Sequence, residues 1–181
     1  MLVGTEILQS IHRWDVGAFH RILLAHRYQP VVSAAFWTSK TADGWLYLLL
    51  PLGFYLTGQT QTTLLVSTML LAFTLERIVY LIAKKGFKRK RPQNILPNFR
   101  SIVIASDEFS FPSGHTSAAF LAVTTLTLVV SPLFAVLYIW SFAVGCSRVV
   151  LGVHFPTDIL MGAILGVSAA NFALHYIVST Q

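Results

Sequence analysis

Apolar stretches of membrane-spanning length recur along this chain, and they restrict its fold more than any other feature. A helix needs roughly 20 residues to cross a hydrocarbon layer roughly 30 Å thick. Thr62 to Ala83 and Pro156 to Val178 meet that length, while Gly44 to Gly58, Pro112 to Val130 and Pro132 to Ser147 are shorter and begin or end at the interface. Hydrophobic residues make up 55% of the chain and charged residues only 11%, so the bilayer is the expected solvent. The pattern predicts an all-α, polytopic transmembrane bundle of five to six membrane helices, organised as one domain over residues 1–181.

Residues 1–42 differ from the rest. Ile7, Ile11, Trp14, Ala18 and Ile22 recur at helical spacing, with His12, Arg13, His20 and Arg21 elsewhere on the wheel. That predicts an amphipathic N-terminal helix lying in the interface. Glu6, His12, Arg13 and Asp15 interrupt any continuous apolar core of a signal peptide. Val31 to Trp37 is too short to cross, and residues 28–42 are the candidate for a sixth membrane-inserted helix. Cys146 is the only cysteine, so no internal disulfide forms; it reads as a small core residue.

The net charge of +6 is unevenly placed: Lys84, Lys85, Lys88, Arg89, Lys90 and Arg91 fill six of eight successive positions. Alone, such a run is a juxtamembrane polybasic segment that holds anionic lipid headgroups. Nucleic-acid binding does not fit, because spanning helices flank the run and no recognition module accompanies it. The same run opens the only substantial loop, Lys84 to Phe111, and a loop of that length in a helical domain is usually functional.

Three fragments carry chemistry: Lys84-x6-Arg91-Pro92, then Phe111-Pro112-Ser113-Gly114-His115, then Ser147-Arg148-x5-His154-x3-Asp158. They supply three cations, two histidines, a carboxylate four residues beyond the second histidine, and a Ser-Gly turn. This is an inventory for moving a phosphoryl group through a histidine. If five helices cross, the loop after the second and the corner between the fourth and fifth lie on one membrane face. All three fragments then share a side.

Each fragment also has an ordinary reading. Asp158 suits a carboxylate that fixes the His154 tautomer and aims Nε2 at phosphorus, and equally a helix-start carboxylate facing the dipole. Ser113, Gly114 and His115 fit a phosphate cradle at a helix start with His115 as proton donor, or a plain loop-to-helix turn. Lys84, Arg91 and Arg148 fit cations that offset transition-state charge, and Arg148 also fits snorkelling to headgroups. Glu76 and Arg77 read as supporting or structural ionic residues, and Pro92 and Ser147, beside the signature cations, as supporting or structural residues. His12, His20, His26 and His175 have no partner at ligand or triad spacing. No zinc spacing occurs and the acidic residues are few and dispersed, so no metal or other cofactor is expected.

Taken together, the fragments resemble the three-part signature of the type 2 phosphatidic acid phosphatase family, the PAP2 or lipid phosphate phosphatase superfamily, matched without a substitution from Lys84 to Asp158. The resemblance implies a membrane-integral, bacterial-type, metal-independent lipid phosphatase whose catalytic core is residues 43–181. By it, His154 attacks phosphorus, Asp158 orients it and His115 protonates the departing group. Lys84, Arg91, Ser113, Gly114 and Arg148 hold the phosphate. The implied partner is a membrane lipid phosphate or diphosphate, of the phosphatidylglycerophosphate, phosphatidate or undecaprenyl diphosphate class. Alternatives are phosphotransfer to a lipid hydroxyl, vanadate-dependent halide oxidation, and a non-catalytic lipid-binding membrane protein, which has no use for His154 backed by Asp158.

Sidedness sets two expectations against each other. The resemblance places the site on the outer, periplasmic face of the cytoplasmic membrane. The positive-inside tendency would make the basic face cytoplasmic, and chemistry accounts for Lys84, Arg91 and Arg148 but not for Lys85, Lys88, Arg89, Lys90 or Arg100.

Overall fold

The computed structural model describes residues 2–58, 60–105 and 107–180, without the side chains of residues 2–5, 7 and 8. Among them lie seven α-helices: α1 (Leu2–Leu23), α2 (Gln29–Lys40), α3 (Trp45–Leu56), α4 (Thr62–Phe87), α5 (Gly114–Val129), α6 (Tyr138–Val150) and α7 (Pro156–Ser179). A 3₁₀ segment, Pro132–Leu137, runs directly into α6.

Three stretches are long and apolar enough to cross a bilayer: α4, α7 and the combined segment Pro132–Val150. The last exceeds the length expected from sequence because α6 continues past Ser147 to Val150. The expected spans at 44–58 and 112–130 are shorter helices of 12 and 16 residues, which at 1.5 Å per residue reach about 18 and 24 Å. The candidate sixth helix at 28–42 forms as α2 with 12 residues, likewise too short to cross alone. Large apolar side chains remain exposed along α4, α6 and α7, including Ile82, Ile139, Phe142 and Phe172. Such surface suits lipid and would be costly in water.

The bundle is organised around α5 and α7, the most extensively packed pair. Gly162 and Gly166 make that closeness possible. A Cβ at Gly166 would fall 2.2 Å from the Ser117 carbonyl oxygen, and one at Gly162 2.6 Å from that of Ser113. Small residues four apart let membrane helices approach at backbone distance. The approach brings the starts of α5 and α7 together, where the Ser113 N–H donates to the Asp158 carbonyl at 3.0 Å.

The amphipathic lead forms as α1, but the expected apolar stripe is not its inward face. Trp14 is 60% exposed and Ile11 is also exposed, whereas Asp15 and Phe19 are fully buried; Ile7 lies outside the described side chains. Ile11 and Trp14 of the stripe point outward, whereas Ile22 packs with the cluster of Phe19, Val149 and Phe155. Phe19 anchors the helix, with ring centroids 5.3 Å from Phe99 and 5.6 Å from Phe155. Cys146, expected in the core, is exposed on α6, on a helix whose other face is packed against α2 and α5.

Candidate active site

The first signature fragment straddles the end of α4. Lys84 lies in its last turn, and Lys88 ends the helix in the left-handed region at φ +47°, its N–H donating to the Lys84 carbonyl. This reversal turns Arg89, Lys90 and Arg91 back across the bundle end. Lys90 there forms an antiparallel bridge with Phe109, and the Ser110 N–H donates to the Arg89 carbonyl at 2.8 Å. The long loop thereby returns Asp107 to the end of α4.

Asp107 is the centre of the cationic cluster. Lys84 Nζ donates to its Oδ2 at 2.6 Å, Tyr80 donates to the same oxygen at 2.6 Å, and Arg91 donates from its terminal nitrogen to Oδ1 and from Nε to the backbone oxygen. Burial opposes ionisation of Asp107, yet the hydrogen bonds from Lys84 and Tyr80 and the charge of Arg91 hold its carboxyl down at about 2. Lys84 and Arg91, both buried, thus already bind a bidentate oxyanion from the chain itself.

Arg91 also links the first fragment to the third, donating to the Val153 carbonyl at 2.7 Å. The corner between α6 and α7 that holds Val153 and His154 turns at Gly152, where φ is +80° and a Cβ would lie 2.4 Å from the Phe99 ring. Both conditions demand glycine. His154 is buried at the end of this corner. Its Nδ1 lies 3.6 Å from Asp158 Oδ2, an ion-pair separation longer than a hydrogen bond, which leaves Nε2 as the nitrogen turned from Asp158. Burial pushes the imidazole down to about 4, against the Asp158 carboxylate and with the Arg91 and Arg148 charges. At neutral pH the ring carries a free lone pair.

Of the two roles open to Asp158 in the sequence, the structure shows the helix-start one. Its Oδ2 accepts from the Phe155 N–H at 2.8 Å, capping α7 behind Pro156, and faces His154. Ser113 is buried with its hydroxyl 2.9 Å from that of Thr116. Gly114 faces a ring rather than open space: a Cβ there would sit 3.1 Å from Tyr80 Cε2. His115 Nε2 donates to Asp43 Oδ1 at 3.0 Å, and Asp43 Oδ2 accepts from Lys40 at 2.7 Å. Arg148 does not snorkel; it is buried and donates to the Ser39 hydroxyl of α2 at 2.6 Å.

The supporting residues divide. Pro92 is buried at the start of a short 3₁₀ turn, and Ser147 is turned back onto the Val144 carbonyl at 2.6 Å. Glu76 and Arg77 point apart: Glu76 is buried in the bundle, while exposed Arg77 lies 4.8 Å over the Tyr80 ring. Sequence reasoning missed Asp107, Asp43 and Ser39, none of which has a spacing to the signature that marks it, and Tyr80, which stands four residues before Lys84 on the same face of α4. It also missed Asp15 and the pairing of Arg89. The signals there were a carboxylate in an amphipathic helix and a cation inside the first fragment.

Beside the Lys40, Asp43 and His115 contact opens an apolar groove of about 550 Å³, lined by Trp45, Leu49, Ala122, Leu126, Leu137 and Trp140. Among the described residues no three His, Cys, Asp or Glu side chains gather as a metal site.

The chain is similar in architecture and in sequence to known proteins. LpxE of Aquifex aeolicus superposes with a TM-score of 0.76 at 25% identity, over 88% of this chain and 94% of that one. The bacitracin transport permease protein BcrC of Bacillus licheniformis is 33% identical over 119 residues, 66% of this chain and 59% of its own length. Phosphatidylglycerophosphatase B of Bacillus subtilis is 36% identical over 109 residues, 54% of this chain and 51% of its own. The matched region thus spans about half to three fifths of these two relatives. The sequence profile of the PAP2 superfamily matches residues 62–180, which include all three fragments, and the chain belongs to that superfamily.

Proposed function

We propose that the protein hydrolyses a membrane lipid phosphate or diphosphate through a phosphohistidine on His154. The observation that carries this reading is the joint grip of Lys84 and Arg91 on an oxyanion, with Arg91 tied to the backbone beside a buried, uncharged histidine that has a carboxylate behind it. A phosphate entering the site takes over the hydrogen bonds now made to Asp107. His154 Nε2 then forms the N–P bond as the P–O bond to the lipid breaks. His115 supplies the proton to the leaving oxygen, and Asp158 stabilises the positive charge that develops on His154. Water next attacks phosphorus, its proton passes to His115, the N–P bond breaks and inorganic phosphate leaves. Lys84, Arg91 and Arg148 offset the charge on the equatorial oxygens in both steps.

The lipid character of the substrate rests on the apolar groove, whose mouth at Lys40 and Thr41 adjoins the Asp43 and His115 pair. A tail lying there keeps its phosphate at the bundle end. Candidate substrates are phosphatidylglycerophosphate, phosphatidate and undecaprenyl diphosphate, two of which match the chemistry named for relatives. We assign the site to the outer face of the cytoplasmic membrane. Part of the charge conflict lifts because Arg89 is paired internally with Asp15 and Asp158. Phosphate release from the three lipids by detergent-purified protein, with analysis of the lipid products, tests the reading. It predicts free phosphate and a dephosphorylated lipid; phosphate appearing instead on a second lipid would make the protein a transferase.

A further inference from the structure

Arg89 lies two residues before the signature arginine and holds two buried carboxylates at once. Its guanidinium donates to Asp158 Oδ1 at 2.7 Å, to the Thr157 hydroxyl at 2.7 Å and, from the other terminal nitrogen, to Asp15 Oδ2. Its plane rests over the Phe155 ring, 4.5 Å from the centroid. Asp15 comes from α1, the interfacial helix, and is completely buried. It also accepts from the Thr157 N–H at 3.0 Å and from the Thr157 hydroxyl.

The consequence for Asp158 is specific. Its two oxygens are held by different groups, Oδ1 by Arg89 and Oδ2 by the Phe155 N–H, and Oδ2 is the one that faces His154. A carboxylate fixed at only one oxygen pivots, and a buried fork with two carboxylates leaves it no freedom to do so. Asp15 supplies the counterpull. Without it, the full charge of Arg89 falls on Asp158 and competes with His154 for the same carboxylate.

We propose that Asp15 and Arg89 are positioning residues for the Asp158–His154 pair, so that the N-terminal interfacial helix is a working part of the catalytic site. This inference rests on the proposed histidine chemistry but makes a separate claim. A tether alone would need any buried pair joining α1 to the bundle, and Phe19 between Phe99 and Phe155 already provides apolar anchorage. The ion pairs instead converge on the one carboxylate that faces the nucleophile.

Two charge-changing variants test it, Asp15→Asn and Arg89→Gln, in full-length protein in detergent. Positioning predicts that kcat falls about tenfold to a hundredfold in each while KM changes little, since misplacement near the reacting atoms has costs of that order. It also predicts opposite movements of the His154 titration, followed by ¹⁵N-histidine NMR. The groups facing His154 are Asp158, Arg91 and Arg148, and Lys84 faces Asp158. Asp15→Asn leaves Arg89 uncompensated and moves His154 down. Arg89→Gln removes a cation and moves it up. If Asp15→Asn does not fold, Arg89→Lys retains charge without the fork and should show the same fall in kcat. Folded variants with unchanged kcat and an unmoved His154 titration would overturn the inference. The titration needs no turnover, so it separates failure of this claim from absence of phosphatase activity in the unmodified protein.

Discussion

Lys84 Nζ stands 2.6 Å from Asp107 Oδ2, an ion pair formed between the end of a membrane helix and the middle of a long loop. On the proposed reading, the loop carboxylate occupies the cation pair that would hold the substrate phosphate. Substrate binding exchanges one anion for another, and the intrinsic affinity of the pocket is reduced by the fraction of time Asp107 holds it.

Removing that competitor should tighten anion binding. Asp107→Asn keeps the side-chain shape but surrenders the charge, so inhibition by inorganic phosphate should strengthen by roughly tenfold, the scale of one lost competing ion pair. Because Asp107 is held at about 2, ordinary acidification does not mimic the variant. A weaker phosphate inhibition in Asp107→Asn would mean that the carboxylate organises Lys84 and Arg91 rather than blocking them.

His154 should stay uncharged well below neutrality. Its folded value of about 4 lies under the roughly 6.5 of an unfolded histidine. Between those values the unfolded chain binds a proton that the folded protein refuses, so stability present above the unfolded value is lost as pH falls through this window. NMR titration should show a neutral ring at pH 5.5, and His154→Ala should flatten the corresponding part of the stability profile. A ring titrating near 6.5 would contradict the burial argument.

The α5–α7 contact should tolerate no side chain at Gly166. Gly166→Ala puts a Cβ against the Ser117 carbonyl and Leu121 N–H, at 2.2 and 2.9 Å, and overpacking of this kind costs about 1–3 kcal/mol. The melting temperature should drop, and activity should fall even below it, since the same contact sets Ser113 against Asp158. Gly17→Ala is the control, with no atom within 4 Å of its Cβ. Equal stability of the two variants would remove helix approach as the cause.

How much of this was legible beforehand follows from the kind of signal each residue leaves. Lys84, Arg91, Ser113, His115, Arg148, His154 and Asp158 sit at fixed spacings, so their convergence on one bundle end could be argued from helix alternation alone. Asp107 and Asp43 come from loops whose path depends on tertiary contacts, and nothing near them in sequence announces a partner. Asp15 was obscured by the apolar stripe of α1, because hydrophobic periodicity does not say which face of a helix packs against the bundle. The expected spans overran α3 and α5 because they took in turn residues, Gly44, Thr57 and Gly58 around the first and Pro112 and Ser113 before the second.

Sidedness is open to a direct chemical test. With Cys146→Ser as background, Arg100→Cys places a thiol on the exposed loop at the active end. A membrane-impermeant maleimide should label it in intact spheroplasts. Labelling only after permeabilisation would put the site on the cytoplasmic face, in agreement with the positive-inside tendency.

The most direct test of the histidine chemistry is phosphate release from lipid phosphates by purified protein beside its His154→Ala variant. The account predicts that the variant remains folded and loses turnover by several orders of magnitude, because the covalent route through Nε2 disappears. Equal rates in the two proteins would contradict it.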